Sequence, residues 1–246
     1  MEASDQAFAE VLSLEKQLNY FDPASELTQV NLRATENDVS VSPELFEVLR
    51  FGDEVARAFP KTFQLMPLCR HDSVCYVLQA EGEGGTPSVR ILSPGCRFDL
   101  GGIAKGYIVD RAAECLARST SGAHWVVNAG GDLRCSGQER VELRIPGKEV
   151  ESRFEVEVEA GGLATSSRQG AFSPIGQSSA KYAESVSKLQ VASATIVADR
   201  CAIADAFAKV ALLTPLTKWD EQTFKRSRKL GVRAIYLFDG NGARIS

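Results

Sequence analysis

The stretch that most constrains this chain is Phe98–Asp110, because two backbone periods meet across it. Ahead of it, Ser88-Val89-Arg90-Ile91-Leu92 alternates as a strand does. Beyond it, Ile108, Ala112, Cys115 and Leu116 recur at helical spacing. A strand must therefore become a helix within a few residues, and Gly101, Gly102 and Gly106 stand at that change. Glycine lets backbone come close to a ligand, and a new helix presents unpaired N–H groups and a positive dipole end. Lys105, in or near the first helical turn, adds charge suited to a phosphate. The same residues also suit an ordinary tight turn carrying a solvated lysine, and spacing alone leaves both readings open.

Composition narrows the class. The chain has 246 residues, 44% hydrophobic and 24% charged, enough for a sizeable core in one large domain or two small ones. A formal net charge of -4 argues against a nucleic-acid or anionic-membrane partner, which would require a basic face. No apolar run approaches the length of a membrane span. The start, Met1-Glu2-Ala3-Ser4-Asp5, lacks the basic and apolar regions of a signal peptide, so the chain reads as cytoplasmic. Six cysteines (Cys69, Cys75, Cys96, Cys115, Cys135 and Cys201) show no CxxC pair, and His71 and His124 are the only histidines. That pattern predicts buried, reduced thiols and neither a metal framework nor a Ser-His-Asp triad.

Along the chain, Asp5–Asn19 predicts an amphipathic helix with Phe8, Val11, Leu12, Leu14 and Leu18 on its apolar stripe. Phe21–Leu27 predicts a loop and a short helical turn. Ser42-Pro43-Glu44 is a strong helix start, with an oxygen cap, a proline and an acid in the first turn; that helix runs to about Ala58. Val74–Leu78 and Val89–Leu92 read as strands around a turn at 81–87, and residues 107–118 as a helix. Trp125–Asn128 reads as a buried strand, followed by strands at Val141–Ile145 and Phe154–Val158. Strict alternation in Phe154–Glu159 puts the glutamates on a solvated face. Residues 168–190 read as a loop and Ala194–Ala198 as a strand. Ala202–Leu213 and 218–229 read as helices, and Ala234–Phe238 as a last strand. No G-x-G-x-x-G follows a strand, and Lys105 is followed by glycine, so neither a dinucleotide fingerprint nor a Walker A loop is present.

Two of these stretches resemble the central signatures of the ApbE family of FAD:protein FMN transferases. They are Asp99-Leu100-Gly101-Gly102-Ile103-Ala104-Lys105-Gly106-Tyr107 with Asp110, and Val127-Asn128-Ala129-Gly130-Gly131-Asp132 with Gly137. Ser25-Glu26-Leu27 with Asn31, Val39–Leu45, Ala164-Thr165-Ser166 and Ala204–Ala208 resemble flanking motifs of the same family, in the same order. The resemblance implies an α+β fold, a single T-fold-like domain over residues 1–246 with mixed or antiparallel sheets packed with helices. It implies FAD as substrate or ligand, and transfer of FMN onto a threonine hydroxyl of an acceptor protein with release of AMP. Magnesium at the pyrophosphate is implied too, an oxygen-only site held by the Ala104 carbonyl and the Asp205 carboxylate. Asp205 and Lys209 fall in the catalytic motif. Ser25, Asn31, Gly101, Gly102, Lys105, Tyr107, Asp110, Asn128, Gly130, Gly131, Asp132 and Thr165 match positions around the nucleotide.

The chain also departs from that pattern. Lys209 stands where the family has a metal-ligating threonine, four residues after Asp205, so the two side chains share a helix face. Gly170–Gly176 keeps a proline but not the family's histidine and aspartate, and Pro60–Gln64 lacks its aspartate. The family's first strand has no counterpart here, and relatives are often exported. Three readings result: a flavin transferase, a non-catalytic FAD or nucleotide binder with Lys209 in place of a metal ligand, or a scaffold that keeps only the fold.

Overall fold

The computed structural model describes residues 2–69, 75–81, 85–120, 122–144, 153–168 and 190–245. His71, Val74, residues 82–84, the segment Gly170–Gly176 and most of the loop expected at 168–190 lie outside them. The described chain runs α1 (Ala3–Leu18), α2 (Glu26–Arg33), β1 (Val39–Ser40), α3 (Pro43–Ala58), β2 (Tyr76–Gln79), β3 (Ser88–Ile91) and α4 (Ala104–Ser119). It continues through β4 (Val126–Ala129), β5 (Asp132–Cys135), β6 (Gln138–Arg144), β7 (Arg153–Glu159), β8 (Gly162–Ser167), β9 (Ser193–Ala198), α5 (Cys201–Leu213), α6 (Glu221–Lys229) and β10 (Val232–Phe238). The class is α+β, as expected.

All pairings among the described strands are antiparallel. The main sheet has the order β10-β9-β8-β5-β4, a smaller one the order β1-β3-β2, and β6 pairs with β7 alone. The centre is α5, which packs on β8, β9 and α4. Its alanines let neighbouring backbone approach closely, and from Cys201 to Leu212 every residue but Lys209 is buried. A helix apolar nearly all round belongs in a core, and a large cluster including Phe98, Tyr107, Ile196 and Phe207 surrounds it. A second, smaller core lies between the main sheet and β6–β7, where Val156 and Val158 point in and Glu155, Glu157 and Glu159 point out.

Local signals placed several elements well. Ser42 caps α3 by accepting the Leu45 N–H, with Pro43 at the first position. Other expectations are corrected. On α1 the buried residues are Ala7, Leu14 and Leu18, while Phe8 and Leu12 face outward. Glu26–Arg33 is a full helix and not a single turn. The strand expected to be buried, β4, is largely exposed because it is the outermost strand of its sheet, a position that periodicity cannot report. The cysteines are not all reduced: Cys69 and Cys96, 27 residues apart, form a disulfide. Among the described residues, no helix is long and apolar enough to cross a membrane.

Candidate functional site

Three pieces of chain, remote in sequence, converge where α4 begins. The first is the turn Asp99–Ile103. Asn31 on α2 holds it from behind: its Nδ2 donates to the Phe98 carbonyl (3.0 Å) and its Oδ1 accepts the Phe98 N–H (2.7 Å). The buried amide thus acts as a one-residue strand partner for Phe98. Next, the Asp99 N–H donates to the Leu65 carbonyl (2.8 Å), and Asp99 Oδ1 accepts the Gly101 N–H (2.9 Å), closing a local turn. The Leu100 carbonyl then accepts from Ile103 and Ala104, and the helix starts with no side-chain cap. Lys105 therefore lies inside the first turn, and α4 starts three residues before the periodicity placed it. A Cβ on Gly102 would stand 3.0 Å from the Phe63 ring and 3.5 Å from Lys209 Cδ, so this turn lies directly against α5.

The second piece is α5. Gly106 is where the two helices cross, since a Cβ there would meet the Cys201 carbonyl oxygen at 2.4 Å. At the crossing the Gly106 N–H donates to Asp205 Oδ2 (3.2 Å). Asp205 Oδ1 takes the Lys209 ammonium, which also donates to the Asp205 carbonyl (3.2 Å). The i,i+4 pair is no surface pair, because the Asp205 side chain is 2% exposed and that of Lys209 18%. The third piece is the hairpin β4–β5. Gly130 and Gly131 both take positive φ, 68° and 110°, as a two-residue hairpin turn requires, and Asn128 Oδ1 accepts the Gly131 N–H (3.2 Å). The turn delivers buried Asp132 to the Lys105 ammonium at 2.7 Å.

Two carboxylates and two ammonium groups thus share one place. Burial, then the charge of Asp205, pushes the Asp132 carboxyl above its ordinary value, with Lys105 opposing both. Partial desolvation works against the Lys105 ammonium, whose side chain is still mostly exposed, but Asp205 and the hydrogen-bonded Asp132 outweigh it and raise its pKa. Burial, with Asp110, Asp132 and Asp205 around it, holds the Cys201 thiol well above its usual range.

Other residues expected around a nucleotide have internal partners. Asp110 caps α5: its two oxygens accept the N–H groups of Cys201 and Ala202 at 2.9 Å each, and Arg134 Nη1 lies 2.8 Å away. Burial raises its pKa against those three contacts. Tyr107 donates to Glu47 (3.0 Å), and burial followed by that carboxylate raises its pKa. Ser25 caps α2 by accepting the Thr28 N–H. Thr165 Oγ1 lies 2.8 Å from Thr195 Oγ1 across β8–β9. Ala104 is the first residue of α4.

Sequence reasoning missed Arg134 and Phe63. Strand alternation holds a signal for Arg134, since Asp132 and Arg134 share one face of β5 and meet Lys105 and Asp110, both on α4. Phe63 had none, because its contact with Gly102 depends on the path of the loop after α3.

Comparison with known proteins follows the same lines. The family model described as the ApbE family matches residues 2–67 and 64–234. Among solved structures, an ApbE protein from Thermotoga maritima superposes with a TM-score of 0.74 at 18% identity, over 98% of this chain and 87% of that one. The flavinyl transferase ApbE of Pseudomonas stutzeri, in its apo form, gives 0.70 at 16% identity, over 96% and 82%. The flavin transferase ApbE of Vibrio cholerae gives 0.70 at 16% identity, over 96% and 84%. At such identities the likeness establishes the fold. No curated protein matches the sequence.

Proposed function

This chain belongs to the ApbE family, and from that premise we propose that it is a flavin transferase that takes FAD at the start of α4. In this reading the Lys105 and Lys209 ammonium groups, and not a divalent ion, neutralise the pyrophosphate. The observation that carries it is the Lys209–Asp205 pair beside the Gly106 N–H. A magnesium ion at Asp205 does not fit the residues present. One oxygen of that carboxylate holds an ammonium and the other an N–H, and a cation there would face the Lys209 charge. Among the described residues, the one cluster of three or more thiol, imidazole or carboxylate ligands lies elsewhere, and it is built of cysteines.

The phosphate end fits better. The α4 N-terminus carries a positive dipole end, and the Lys105 side chain is 64% exposed, free to swing from Asp132 toward an anion. Transfer would join a threonine oxygen of an acceptor protein to the phosphorus of the FMN half. The bridging P–O bond breaks, AMP leaves with the bridging oxygen, and the hydroxyl proton is released. Such chemistry rests on positioning and charge neutralisation more than on covalent participation by the protein. A second reading, FAD binding without turnover, is favoured by one observation: both oxygens of Asp205 are already engaged.

Titration with FAD, with and without magnesium, separates the readings if flavin fluorescence and AMP release are followed together. Wild type should bind FAD equally in magnesium and in chelator, while Lys209→Thr should make binding magnesium-dependent. AMP release identifies the transferase, and binding alone identifies the second reading. Wild-type binding that requires magnesium, or no binding in either condition, refutes the lysine-neutralised site.

A further inference from the structure

Away from the α4 turn, three cysteines from three separate pieces of chain meet beside the small sheet. Cys69 closes a turn by donating its N–H to the Met66 carbonyl (3.0 Å). Cys75 directly precedes β2, and its carbonyl accepts the Leu92 N–H just after β3 (2.7 Å). Cys96 ends the turn Ser93-Pro94-Gly95-Cys96, where proline presets the second position and Gly95 supplies the positive φ (82°) of the third. Packing fixes these pieces against one another: the Tyr76 ring lies 5.2 Å from that of Phe98, centroid to centroid. The three sulfur atoms all lie within 4.8 Å of one another.

We propose that Cys69, Cys75 and Cys96, when reduced, form a three-thiolate site for one thiophilic divalent cation of the zinc class, exclusive of the Cys69–Cys96 disulfide. Thiolates are soft ligands that select such ions over magnesium or calcium. Tetrahedral zinc with Zn–S bonds of about 2.3 Å places its sulfurs roughly 3.8 Å apart. That spacing lies inside the 4.8 Å cluster. Cys75 and Cys96 are buried while Cys69 is half-buried, so an ion has a way in. The chemistry balances simply. A dithiol reductant gives two electrons and two protons to the disulfide and becomes a disulfide itself. The ion then displaces one proton from each of the three thiols.

Cobalt(II) is the direct probe, because thiolate ligation gives it an intense charge-transfer absorption. Protein reduced with a phosphine and titrated with cobalt should develop this band to one equivalent, and zinc should bleach it. The same protein with its disulfide re-formed should show none, a comparison that involves no mutation. Cys69→Ser, at the half-buried position, and Cys75→Ser should lose the band, whereas Cys115→Ser, on α4, should keep it. Absence of the band in reduced wild type, or its persistence at full intensity in Cys69→Ser and Cys75→Ser, overturns the site.

Discussion

Replacing Gly106 by alanine sets two effects of opposite sign against each other. In an open helical position the change stabilises by about 1 kcal/mol, because alanine is the better helix former. Here the new Cβ would stand 2.4 Å from the Cys201 carbonyl oxygen, 2.7 Å from the Cys201 carbonyl carbon and 2.8 Å from Ala202 Cα. All three are backbone atoms, so no rotamer relieves the clash. Ordinary contact begins at 3.4 Å, and going from 2.4 Å to that distance means the helices part by 1.0 Å. That displacement acts on the bonds that join them: Asp110 to the Cys201 and Ala202 N–H groups at 2.9 Å, and the Gly106 N–H to Asp205 at 3.2 Å. Overpacking costs about 1–3 kcal/mol, and backbone contacts belong at the upper end. Less the helix-propensity gain, the net loss is about 2 kcal/mol before any weakened hydrogen bond is counted. For a chain of this size that lowers Tm by roughly 4–8 °C. Calorimetry on G106A beside wild type measures it, and a variant melting at or above wild type would refute the close helix crossing.

Two further substitutions probe the support of the site. Asn31→Ala leaves the buried N–H and C=O of Phe98 without their partners and should cost about 2–6 kcal/mol in urea denaturation, at 1–3 kcal/mol per orphaned group; a loss below about 0.5 kcal/mol contradicts the bracing role. Asp132→Asn tests ionisation. The Asp132 pKa is raised in the fold above its ordinary 3.8, so the native state holds the proton more tightly and stability falls as pH rises from about 4 through the folded value. The asparagine variant cannot ionise there, so it should gain stability relative to wild type across that window. A wild type that gains on the variant over the same range reverses the sign and removes the argument.

How much of this was legible beforehand depends on the range of the interaction responsible. The α3 start could be read because Ser42, Pro43 and the Leu45 N–H lie within four residues of one another. Alternation in β7 could be read because the pleat imposes a period of two wherever one face is buried. The turn and helix start within Asp99–Asp110 could be read, since glycines at a change from extended chain to helix have a local backbone reason. What it did not reveal is the work each residue does. Asp110 sits one helical turn past Gly106, and only the close crossing of α5 makes it a cap for Cys201 and Ala202.

The sequence by itself determined the class of the fold, most of its helices and strands, the family resemblance and the spacing that sets Asp205 beside Lys209. The class, the elements and the spacing follow from periodicity, caps and i,i+4 geometry, all of which act within a few residues, and the resemblance from the motifs around Gly101-Gly102 and Gly130-Gly131. Tertiary structure alone decided that β4 is an edge, that the Asp205–Lys209 pair is buried, that Asn31 braces Phe98 from 67 residues away, and that Cys69, Cys75 and Cys96 meet. Each depends on which surfaces pack together, and burial of apolar area, which drives that packing, has no direction along the chain.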